Sequence, residues 1–242
     1  MSTAPGHANH TRVQAGFSLP RIFHALKAHG VMHHARIYPI LGTVLAGLNR
    51  PFHLLDLGCA DASDIGPLLT ALPVAGYTGI DTSHDALSNA ETTLARLSCP
   101  VRLIHGDCSR AWDYPAQSFD FIWMGLFLHH VATEHKSEFL LRLRCLLKPE
   151  GMLMVHDPLL QDGEDRASFV QRLEHHGRDH WPFLSRQELI LAGRHWHEHG
   201  HQESFSSLHA QGMNAGFSEV RLLWSDPEQF YGLLLFNNGS PQ

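Results

Sequence analysis

The sequence predicts an α/β fold, a doubly wound, mostly parallel sheet of about seven strands with helices on both faces. Three observations carry that expectation. Short apolar strands alternate with stripes of helical period, the pattern of βαβ units with right-handed crossovers. The run Leu54-Leu55-Asp56-Leu57-Gly58-Cys59-Ala60-Asp61 ends a strand in an acid and breaks into a small-residue turn, where Gly58 lets backbone amides approach a ligand. A second strand, Tyr77-Thr78-Gly79-Ile80, then delivers Asp81 where a nucleotide-binding βαβ unit carries its ribose-binding acid.

The elements follow in order. Residues 1–16 are polar and small and are expected to form a mobile lead. Pro20 suits a first helical position, and Ile22, Phe23 and Leu26 mark a short helix ending near Gly30. A second helix is expected over 35–48, with Pro39 kinking it or delaying its start. Asp64 to Leu72 reads as the helix facing the ligand, Pro67 being tolerated in its first turn. Ser83 is an N-cap for the stripe Leu87, Ala90, Leu94 and Leu97, and 101–104 is a strand entering Asp107. Phe139, Leu140, Leu143, Leu146 and Leu147 form a core stripe closed by Pro149 and Gly151. Ser185-Arg186-Gln187-Glu188 is a capping box with Leu184 and Leu189 as its staple. A further helical face runs from Phe205 to Ala215, and strands at 220–224 and 231–236 close the chain.

At 242 residues and 43% hydrophobic content, the chain can bury one substantial core. A net charge of −6 with no Lys/Arg-rich run disfavours nucleic acid as a partner, and no apolar stretch approaches a membrane span. Cys59, Cys99, Cys108 and Cys145 show no paired spacing, and the first thirty residues lack a signal core, so a cytoplasmic protein with reduced thiols is expected. The 21 histidines make surface charge sensitive to pH near 6.

The series Asp56-Leu57-Gly58-Cys59-Ala60-Asp61-Ala62, Gly79-Ile80-Asp81, His105-Gly106-Asp107-Cys108, Phe119 to Met124 and Leu147 to Leu153 resembles, in order, the motifs of class I S-adenosylmethionine-dependent methyltransferases. Only the first glycine of the family's acid-x-Gly-x-Gly-x-Gly turn is kept, with Ala60 and Ala62 in place of the others. The resemblance implies S-adenosylmethionine as cofactor, held by Asp56, Gly58, Ala60, Asp81, Thr82, Asp107, Cys108 and Met124. It implies a methyltransferase domain over 35–242, preceded by the lead and helical cover at 1–34. The least family-like segment, 159–215, is expected to be an inserted helical cap over the acceptor. Phe17, Phe23 and Tyr38 are lid or packing residues.

The methyl group is expected to pass to an O, N or S atom of a small-molecule acceptor. His129 and His130 follow the fourth strand, where imidazole can take a proton or only shape the pocket. His156 and Asp157 end the fifth strand as a second acid/base pair of candidates. No Asn-Pro-Pro-Tyr-like or Pro-Cys motif follows strand four, which argues against DNA-directed designs. His195, His197, His199 and His201 would form two opposed i,i+4 pairs on a helix, so no metal centre is expected there. The lost glycines leave room for a rival, a non-catalytic cofactor-binding regulatory or assembly protein; an NAD-dependent oxidoreductase fits less well without Gly-x-Gly-x-x-Gly.

Overall fold

The computed structural model describes residues 19–108 and 114–239; the lead at 1–16 and Phe17 lie outside them. Helices α1 (Leu19–Ala28) and α2 (His34–Ala46) precede the sheet. The chain then runs through β1 (Phe52–Leu57), α3 (Ile65–Leu69), β2 (Val74–Asp81), α4 (His84–Leu94), β3 (Val101–His105) and β4 (Phe119–Gly125). It continues with α5 (Thr133–Leu146), β5 (Leu147–Leu160), α6 (Arg166–His180), α7 (Arg186–His199), β6 (Glu203–Ser204), α8 (Phe205–Asn214), β7 (Glu219–Ser225) and β8 (Tyr231–Asn237).

The main sheet has the order β3-β2-β1-β4-β5-β8-β7, parallel from β3 to β5 and antiparallel through β8 and β7, while the two-residue β6 pairs with the end of β5. Strand order reverses between β1 and β4, which opens a crevice at their carboxyl ends. Alternation along each strand divides the core. Leu55, Leu57, Ile122, Met124, Leu153 and Val155 pack on α5 and α8, whereas Leu54, Phe121, Trp123 and Met154 pack on α2, α3 and α4. A third cluster joins α1, α6 and α7 through Ile22, Leu26, Phe169, Leu173, Leu189 and Trp196.

The structure corrects three boundaries. Pro39 lies inside a continuous α2 rather than starting it late. An internal proline costs about 3 kcal/mol, but the buried Ile37, Leu41 and Leu45 return roughly 1.5–3 kcal/mol each on the face toward the sheet. Helix α3 stops at Leu69, short of Leu72, because Pro73 immediately precedes β2 and the chain must turn before it. Leu147 begins β5 rather than ending α5, pairing with Phe119 before Glu150 adopts a left-handed turn. Both halves of the Ser185–Glu188 capping box are formed, and Ser83 Oγ caps α4 by accepting from Ala86 N–H.

Candidate functional site

Two contiguous cavities occupy the crevice, of about 850 and 290 Å³, sharing Gly58, Gly125 and Leu126. The larger receives Asp81, Thr82, Asp107 and Cys108 from the ends of β2 and β3, with Phe127, His130 and residues of α5 opposite. The smaller receives Asp56, Ala60 and Trp123, the α2 residues His34 and Tyr38, and His156 from β5.

The turn after β1 is built from left-handed residues. Gly58, Ala60 and Ala62 have φ of 74°, 46° and 53°. The backbone of a triple-glycine turn is therefore kept although two of its glycines are alanines. A Cβ on Gly58 would stand 3.3 Å from the Phe127 ring, so the glycine also admits the loop after β4. Gly58 and Cys59 N–H donate to Ile80 O, and Ala60 N–H donates to Asp81 Oδ2 at 2.9 Å. Asp81 Oδ1 accepts from Ser83 N–H at 2.8 Å. The acid thus ties the turn to the start of α4 and keeps lone pairs for a diol.

A left-handed L-residue costs about 1–2 kcal/mol, against roughly 0.5–1 kcal/mol of extra chain entropy for glycine. Ala60 is exposed, so Ala60→Gly is expected to stabilise the fold by up to about 1 kcal/mol. Ala62 buries its methyl in the core, and Ala62→Gly should come out near neutral. Denaturant midpoints of the two variants check this; a loss at position 60 would count against the strain.

Asp56 is 2% exposed and accepts from Tyr77 Oη at 2.6 Å. Burial pushes its carboxyl up to about 7, with Asp81 adding to the rise and the Tyr77 hydrogen bond opposing it. Tyr77 offered no sequence signal beyond its strand, because the contact joins neighbouring strands. His156 is fully buried with an unpartnered Nε2, and burial with His34 and His33 nearby lowers its pKa to about 3. A polar ligand in the smaller cavity would satisfy that nitrogen.

The candidates after β4 separate. His130 lines the larger cavity, and burial together with His129, His195, His199 and His201 lowers it to about 3, which leaves a weak base at neutral pH. His129 lines neither cavity; its Nδ1 lies 2.8 Å from Asp157 Oδ1. Met124 is fully buried on the α5 side and lines neither cavity, and Gly125 and the left-handed Leu126 stand in that place. Phe23 packs on His195 and Trp196 of α7, whereas Tyr38 reaches the smaller cavity.

Only one of the two expected histidine pairs forms. His195 and His199 rings are 5.1 Å apart, but Gly200 leaves the helix in extended conformation and takes His201 out of helical register with His197, and Arg166 bridges His197 O and His201 Nδ1. Among the described residues, no three His, Cys, Asp or Glu side chains are grouped as a metal site. Nor is any described helix long and apolar enough to cross a membrane.

The geometry fits the expected cofactor: a left-handed turn after β1, the carboxylate of Asp81 one strand away, and two adjoining cavities. Residues 54–151 match the model of the methyltransferase domain family. Over 95 residues the chain is 32% identical to N-terminal Xaa-Pro-Lys N-methyltransferase 1 of Bos taurus, covering 38% of this chain and 42% of that protein. Over 103 residues it is 37% identical to trans-aconitate 2-methyltransferase of Rhizobium meliloti (strain 1021), covering 43% and 37%. The chain thus spans about two fifths of the length of the curated relatives it matches. Magnesium protoporphyrin IX methyltransferase of Synechocystis PCC 6803, solved with bound SAH, shares the fold at a TM-score of 0.61 and 15% identity, covering 97% of this chain and 90% of its own. Motif order, sheet order and the matched segment agree: residues 54–151 match a methyltransferase domain, and the chain shares the fold of the class I S-adenosylmethionine-dependent methyltransferases.

Proposed function

We propose that this protein transfers the methyl group of S-adenosylmethionine to an O, N or S atom of a small metabolite. The observation that carries the reading is the bridge from Ala60 N–H to Asp81, which locks the left-handed turn against the diol-binding acid at the mouth of the larger cavity. Gly58, Ala60, Asp81, Thr82, Asp107 and Cys108 would hold the nucleoside, and Asp56 and His156 would face the amino-acid end. Bound there, the cofactor supplies a methyl group on a sulfonium centre. The protein's own part is to hold the acceptor in line, which can contribute several kcal/mol, on the order of 7 or more in well-oriented systems. Leu126, which lines both cavities, and Phe127, which lines the larger, would shield their junction from water.

Six relatives carry the name N-terminal Xaa-Pro-Lys N-methyltransferase 1, which favours a protein N-terminus as a second acceptor reading. The α6–α7 segment packs with α1 against Leu126, which lines both cavities, and its reading as a cap supports the small acceptor instead. Calorimetry is the first test. S-adenosylhomocysteine should bind and NAD should not; the reverse preference would return the chain to dinucleotide chemistry. Binding of the cofactor with no methyl transfer to any metabolite or peptide would favour the regulatory rival.

A further inference from the structure

A third cavity, of about 500 Å³, lies outside the crevice. Three turns converge on it: His29 to His33 between α1 and α2, Trp181 to Phe183 between α6 and α7, and Asp226 to Phe230 between β7 and β8. It shares no lining residue with either crevice cavity. Tyr231 on its wall meets His156 of the smaller crevice cavity ring to ring at 5.8 Å.

Asp226 lines this cavity and is 2% exposed. Its Oδ1 accepts from Phe230 N–H at 2.9 Å and from Tyr231 N–H at 2.6 Å, which ties the turn back to β8. Its Oδ2 accepts nothing among the described residues and is not sealed in the core. The Tyr231 hydroxyl is likewise unpartnered and unsealed; burial, with Asp226 beside it, raises its pKa, so it keeps its proton and can only be a neutral neighbour. A buried carboxylate oxygen without a donor costs free energy until one reaches it. No basic side chain supplies that donor. Arg172 packs on Phe230 at 4.3 Å, but its nitrogens donate to Glu164 and to the Glu228 and Gln229 carbonyls, and no Lys or Arg lines the cavity. The walls are aromatic: His29 and Phe183 stack at 3.8 Å, and Trp181 stands edge-on to His176 at 5.7 Å.

We propose that this cavity is a second ligand site, which takes a primary organic ammonium carrying an apolar or aromatic tail. The ammonium donates to Asp226 Oδ2, a charge-assisted hydrogen bond, and the aromatic walls favour the cation and pack its tail. Other ligand classes fit less well. An anion meets a carboxylate and no Lys or Arg, and a neutral molecule leaves that carboxylate without a counter-charge. A metal ion lacks ligands, since among the described residues no three His, Cys, Asp or Glu side chains are grouped to hold one. Histidines also line the cavity, but imidazole is mostly neutral near pH 7.5, so the charge facing a ligand there is that of Asp226 and the exposed Glu228.

The test is calorimetry at pH 7.5 with phenethylamine as the probe, beside 2-phenylethanol and phenylacetate, which carry a hydroxyl or a carboxylate in place of the ammonium. Phenethylamine should bind with a Kd on the order of 1 mM or tighter, and the alcohol and the acid roughly tenfold more weakly or worse. Asp226→Asn keeps the oxygen that caps the turn and replaces the free one with an N–H donor. It should lower the amine's affinity by roughly tenfold or more while S-adenosylhomocysteine binds as to the wild type. Isotope-filtered NMR of the wild type locates the probe whether or not that variant folds: the amine's ring should contact Trp181 and Phe183, with saturating S-adenosylhomocysteine leaving those contacts in place. Equal affinity for the alcohol, an Asn variant that binds the amine as well as wild type, absence of those ring contacts, or displacement by S-adenosylhomocysteine would each overturn the assignment.

Discussion

Replacing Asp81 by Ala should weaken S-adenosylhomocysteine binding by about 1–3 kcal/mol, a factor of roughly 5 to 150, through loss of a charge-assisted hydrogen bond to the ribose. The same change frees the N–H groups of Ala60 and Ser83 that the carboxylate now holds. Both lie in exposed hydrogen bonds, so water can replace the acceptor and the stability loss should be the smaller effect. Asp81→Asn keeps one acceptor oxygen and should fall between wild type and Ala, which separates charge from shape. Calorimetric affinity equal to wild type in the Ala variant would take Asp81 out of the site.

What the chain discloses by itself depends on the range of each interaction. Strands β1 and β2, the Ser83 cap and the Ser185–Glu188 box were legible because short apolar runs ending at turns and capping residues are local signals, and β4 was legible through its resemblance to the family's fourth strand. The extent of α2 through Pro39 was not, since the burial that outweighs the proline comes from the sheet. Nor could sequence separate His129 from His130. The distinction rests on Asp157, 28 residues away, and on histidines of α7 that reach the loop only in three dimensions. Met124 shares parity with Ile122 and pairs with Leu57, so it faces the α5 core rather than the crevice, a register that only the strand pairing reveals. The left-handed Ala60 and Ala62 show a converse limit, because a glycine turn survives here in residues whose identity argues against it.

The second large effect concerns Asp56 and pH. Its carboxyl stands near 7 in the fold against an ordinary 3.8, so the folded protein holds a proton that the unfolded chain has lost between those values. Stability should therefore fall as pH rises from about 4 to about 7 and level off above, by an amount on the order of 4 kcal/mol. Asp56→Asn imitates the protonated form without titrating. It should match wild type near pH 4 and melt several degrees higher at pH 8, since the buried charge is then absent. Cofactor binding should move the other way. S-adenosylmethionine carries ammonium and sulfonium cations, and a cation beside Asp56 favours the ionised acid, so uptake near pH 7 should release protons and strengthen as pH rises. Calorimetry in buffers of different ionisation enthalpy counts those protons, and the Asn variant should bind more weakly with none released. Equal melting temperatures of the two proteins at pH 8, together with proton-neutral binding by the wild type, would show that Asp56 is already ionised in the empty fold. Its buried charge would then need a partner besides Tyr77.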